Sequence, residues 1–82
     1  MSRSLYQYIA LRPDVPEHGL RRGDVALVVD HVPHPAGGAP GYVLEVFNAV
    51  GESIAVLALA ASDVAPLRSD EVLAVRPLLR TG

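Results

Sequence analysis

The densest polar cluster in the chain is Glu17-His18 followed by Arg21, Arg22 and Asp24. A carboxylate beside an imidazole is the minimal equipment for acid and base catalysis. No nucleophile completes it. Ser53 and Ser62 lie in turn contexts without the strand-to-helix elbow that exposes a catalytic serine, and no glycine-rich phosphate loop opens a helix. His31 and His34 with Asp30 offer imidazole and carboxylate to a divalent metal. Durable metal sites place three or four ligands on a braced frame, so these residues read as solvated loop groups. The sequence therefore assigns no catalytic residue, no metal site and no cofactor.

Two further patterns have plainer readings. Arg22-Gly23-Asp24 spells an integrin-type tripeptide, but three-residue matches arise often by chance. It reads as a turn in which Gly23 supplies backbone freedom and Asp24 caps through its side chain. Tyr6, Tyr8, Tyr42 and Phe47 could form an aromatic ridge for proline-rich peptides. Aromatics on alternate strand positions more often serve core or cross-strand packing.

The elements that must position these residues are short strands. Leu5 to Leu11 alternates Leu5, Gln7, Ile9 and Leu11 against Tyr6, Tyr8 and Ala10, and Arg12-Pro13-Asp14 ends it. Pro16, Gly19 and Gly23 then punctuate a long loop whose Leu20 plugs the core. Val25 to Val32 is a strand with Val25, Leu27 and Val29 on one face and Ala26, Val28 and Val32 on the other. Pro33 to Gly41, rich in proline and glycine, is an exposed loop. Tyr42 to Phe47 alternates again, and Asn48 to Glu52 turns it into Ile54 to Leu59. Ser62-Asp63 predicts a one-turn helical connection into Val64 to Leu67. Ser69-Asp70-Glu71 is an acceptable helix start that Pro77 interrupts, so the tail reads either as a short C-terminal helix or as a last edge strand. The expected fold is all-β: a small five-stranded, SH3-like, partly open antiparallel barrel with a short 3-10 turn. Residues 1–82 form one domain, with its core over 5–67 and a C-terminal extension over 68–82.

Composition bounds the function. At 82 residues, half of them hydrophobic, the chain builds one small core, and a core of that size leaves little surplus for a strained catalytic pocket. There is no cysteine, which removes disulfides and thiolate metal sites and favours a cytoplasmic home. The opening MSRSLYQYIALRPD meets Arg12, Pro13 and Asp14 before an apolar stretch of signal-peptide length, so no export signal is expected. The run Ile54 to Ala61 is far shorter than the ~20 residues of a membrane span. A net charge of −2 disfavours nucleic acid as a partner, and no small-molecule substrate is evident.

At PEHGLRRGDVALVVD the chain resembles a family of small bacterial proteins of unknown function that carry a PEHGLxxGDV motif. The matching residues are Pro16, Glu17, His18, Gly19, Leu20, Gly23, Asp24 and Val25. The likeness continues through Tyr42 to Phe47 and ends near Val64-Ala65-Pro66-Leu67. Ala26 stands where that family often has glycine, and the Pro33 to Gly41 loop is longer and richer in proline. The resemblance implies an SH3-like barrel with no assigned activity.

The leading expectation is a non-enzymatic protein-interaction module, of the antitoxin or immunity type, that docks a larger co-encoded partner or a second copy. Its expected contact residues are Glu17, His18, Arg21, Arg22, Asp24, His31, His34 and Tyr42, with an exposed strand edge. Apolar residues in the tail, Val72-Leu73-Ala74-Val75 and Leu78-Leu79, need burial that a partner would supply. The alternative is a nucleic-acid or ribosome-associated small β-barrel with Arg12, Arg21, Arg22 and Arg68 as its patch.

Overall fold

The computed structural model describes residues 5–33 and 40–78. Five antiparallel strands make one open sheet in the order β4-β3-β2-β1-β5. They are β1 (Tyr8–Leu11), β2 (Val25–Val32), β3 (Gly41–Phe47), β4 (Ser53–Ala60) and β5 (Val64–Pro66), with 3-10 turns at Pro16–His18 and Ala61–Asp63. Strands β1 to β4 form a meander, and β5 returns across the sheet to pair with β1. This is the mainly β, partly open SH3-like arrangement expected from the short, evenly spaced strands.

One face of the sheet is the core. Ile9, Leu11, Ala26, Val28, Tyr42, Leu44, Val46, Leu57 and Val64 point there, and Val15 and Leu20 close it from the loop after β1. The period-2 alternation of β3 is cleanly expressed: Tyr42, Leu44 and Val46 are buried and the residues between them are half-buried. On the opposite face the register aligns Tyr8, Leu27, Glu45 and Val56 in one row across four strands.

Three local expectations are corrected. Strand β1 begins at Tyr8 rather than Leu5, because Tyr6 sits at φ 63°, a left-handed conformation that a ladder cannot run through. In β2 the register slips between Val28 and Asp30, leaving Val29 as the extra residue of a bulge. The bulge reverses the faces beyond it, so Val32 no longer lies with Ala26 and Val28, and His31 comes opposite Tyr42. The tail forms neither helix nor strand over the described residues to 78. Glu71 Oε1 accepts the Arg68 N–H at 2.6 Å and Glu71 N–H bonds to the Arg68 carbonyl at 3.1 Å, which starts one turn. Val72, Val75 and Pro77 do not propagate it, being β-branched or lacking an N–H.

Candidate functional site

The segment from Asp14 to Asp24 is a braced lobe rather than a slack loop. Val15 and Leu20 exchange backbone hydrogen bonds at 2.9 and 3.0 Å across the 3-10 turn. Pro16, with its φ already fixed, opens that turn, and Gly19 closes it at φ 70°, where a side chain would be strained. Leu20, almost wholly buried, then enters the core.

The carboxylates at either end of the lobe are spent on its backbone. Asp14 Oδ1 accepts the Arg22 N–H at 2.8 Å. Asp24 Oδ2 accepts the Arg21 N–H at 2.7 Å, closing a turn in which Gly23 takes φ 92°. The Gly23 N–H in turn bonds to the Leu11 carbonyl at 2.8 Å, tying the turn to β1. These turn assignments agree with the sequence reading of Gly23 and Asp24.

Arg76, which sequence reasoning did not single out, reaches the same carboxylate from the tail. Its guanidinium bridges both Asp24 oxygens, one at 3.2 Å and the other closer, and also donates to the Gly19 carbonyl at 3.3 Å. The hydrogen bond to Asp24 raises the arginine above its ordinary pKa, against the opposing effect of desolvation, and the Asp24 charge adds to the rise. A raised arginine pKa leaves the ion pair intact below the unfolded value and loses it only in strong alkali, so on the arginine side this clasp is indifferent to pH near neutrality. Nothing in the sequence around Arg76 distinguishes it from a solvated arginine, because its partner lies 52 positions away.

The expected site residues therefore separate. Glu17, His18, Arg21 and Arg22 are exposed on the lobe, while Asp24 is drawn into its framework. His31 lies at the far end of β2, its ring edge-on to Tyr42 at 5.4 Å between centroids, and its backbone N–H donates to Asp30 Oδ1 at 2.8 Å. Tyr42, expected among the partner-facing residues, belongs to the core, because β3 alternation points it inward. It cannot form a ridge with Tyr8, which lies on the other face of the sheet. His34 lies outside the described residues. Among the described residues, no group of three metal-ligating side chains gathers, and no helix is long and apolar enough to cross a membrane. A hollow of about 440 Å³ opens beside His31, Pro33, Pro40 and Tyr42, with a mainly apolar lining.

The fold and the lobe define a small open β domain whose polar motif is chiefly architectural. Residues 5–66 match the family described as a domain of unknown function (DUF4926), and the chain belongs to that family. Comparison with curated proteins and with solved structures finds no match. The match ends before the tail, so the Arg76–Asp24 clasp joins a position within the family span to one beyond it.

Proposed function

We propose that this protein is a non-enzymatic interaction module whose docking surface is the lobe of residues 14–24 together with the tail clasped to it. One observation carries the reading. Val72, Leu73 and Val75 are 91%, 71% and 90% exposed, yet they precede a residue anchored at two points on the lobe. Aliphatic side chains held in water next to a fixed anchor contribute nothing to the fold, and burying them against a partner recovers ~25 cal/mol for each Å² covered. Arginine is enriched at interfaces, and Arg21 and Arg22 are exposed on the same lobe. The fitting partner is a protein surface with an apolar patch bordered by carboxylates. A cytoplasmic, bacterial setting and an antitoxin or immunity role toward a larger co-encoded protein are the biological form of this reading.

The test is affinity capture of the tagged full chain from its native host, beside Arg21→Glu/Arg22→Glu and Val75→Asp variants. A single stoichiometric protein retained by the wild type and lost by both variants supports the module. Retention of that protein by both variants moves its surface elsewhere and overturns the proposal. Nuclease-sensitive material instead of a protein replaces it with a nucleic-acid-binding barrel.

A further inference from the structure

The two edges of the sheet are not alike. Strand β5 is three residues long and ends in Pro66, so it offers little to a foreign strand. Strand β4 spans eight residues, SIAVLALA, with neither a charge nor a proline, and among the described residues it has a strand on one side only. Edges of that length are ordinarily guarded by lysine, proline or an inward-facing charge, because their unpaired backbone groups are a template for another strand.

The hydrogen-bond phase shows which groups are free. Ala61 N–H donates to the Pro40 carbonyl at 2.9 Å, immediately beyond the Gly41–Ala60 pair. Hydrogen-bonded pairs alternate with open ones along an antiparallel ladder. Leu59 and Leu57 therefore bond to Tyr42 and Leu44 of β3, whereas Val56, Ala58 and Ala60 turn their N–H and C=O groups to the open edge. The register slips between Val46 and Phe47, leaving Ile54 unpaired, so the regular part of the free edge is Val56 to Ala60.

We infer that this edge pairs with the same edge of a second copy, antiparallel and about a two-fold axis through Ala58. A two-fold perpendicular to the sheet keeps both cores on one side only when each residue meets a partner of its own parity. Centring on Ala58 places Val56 opposite Ala60 of the partner copy and matches every regular outward group of β4 with its complement. Like charges do not meet, since the strand has none, and the small side chains of Ala58 and Ala60 let the two backbones approach. Because β5 is blunted, association closes at two copies instead of growing into a fibre. So short a contact sits at the weak end of specific interfaces. This surface is distinct from the lobe and tail, so the inference stands or falls independently of the proposed docking function.

The test is the mass of the purified full chain by sedimentation or light scattering up to about 1 mM, the weak limit of specific association. The expected result is a monomer–dimer equilibrium. Ala58→Lys and Ala58→Glu, each alone, are expected to weaken dimerisation about tenfold or more, and an equimolar mixture is expected to restore it as a heterodimer. Ala58 is exposed and faces Val43, so both variants should keep the wild-type circular dichroism. Amide exchange on the wild type gives a second readout: protection at Val56, Ala58 and Ala60 should rise with concentration. A wild type monomeric throughout, a folded Ala58→Lys that still dimerises, or edge amides unprotected in the dimer would each overturn the inference.

Discussion

Leu20→Ala separates the architectural role of the lobe from any role in binding. Leu20 is 3% exposed and is the side chain by which the lobe enters the core. Truncation removes three buried carbons, worth roughly 2 kcal/mol at about 0.8 kcal/mol each. The cavity term adds to this, because Val15, Pro16 and Gly19 are fixed by the backbone bridge and cannot collapse into the space, giving a total of about 2–5 kcal/mol. A domain of this length holds roughly 4–12 kcal/mol in all, from about 0.05–0.15 kcal/mol per residue. With a urea slope of about 1 kcal/mol/M, the midpoint of unfolding should fall by about 2–5 M. The assay is urea denaturation followed by circular dichroism, with Arg21→Glu/Arg22→Glu measured alongside. That double variant changes only exposed side chains and should stay within about 1 kcal/mol of wild type. A Leu20→Ala protein within about 1 kcal/mol of wild type would refute the claim that the lobe is part of the core.

Other perturbations follow from the same geometry. Gly41→Ala places a Cβ 2.8 Å from the Leu59 backbone oxygen, a contact that only strand displacement relieves; a loss of about 1–3 kcal/mol is expected in the same denaturation assay, and an unchanged midpoint would contradict it. Gly23→Ala meets open space but must adopt φ 92°, so it should cost about 1–2 kcal/mol through backbone strain alone, seen as a lower thermal midpoint with an unchanged spectrum. Arg76→Ala unclasps the tail, so amide order parameters over residues 72–75, expected near the rigid-backbone value of about 0.85 in the wild type, should drop below about 0.6. A tail already mobile in the wild type would remove the argument for a held apolar surface.

Much of the fold was legible because alternation and turn residues are local signals. Ile9 and Leu11, Ala26 and Val28, and Tyr42, Leu44 and Val46 all face the core as their spacing implies, and Leu20 plugs it. Asn48 turns β3 into β4 by accepting the Val50 and Glu52 N–H groups at 3.1 and 2.9 Å, with Gly51 at φ 87°. The bulge at Val29 was not legible, because an inserted residue leaves no mark in a run of valines and its effect is felt only through pairing with β3. The shortened β1 depends on one backbone angle at Tyr6, a residue whose type favours the strand. The tail was misread because its opening turn does form, while the decision to propagate rests on tertiary burial that the described tail does not have.

The candidate site was legible by residue type but not by role. Acidic residues beside histidine and arginine suggest chemistry, yet the structure spends Asp14 on the Arg22 N–H and Asp24 on the Arg21 N–H and the Arg76 guanidinium. Carboxylates engaged in this way are poor ligands, because a new partner must compete with bonds that hold the lobe together. Removing those two leaves Glu17, His18, Arg21 and Arg22 on the rim, exposed and carried on a backbone that glycines, a proline and a buried leucine have already fixed. Under the proposed docking function, the backbone entropy of the contact surface is lost at folding, so a partner need only order the side-chain tips. The same reasoning explains why the aliphatic tail matters. A clasped Val75 costs a partner less to bury than the same residue on a free end, and Arg76, whose two acceptors both lie on the lobe, is the residue that makes the difference.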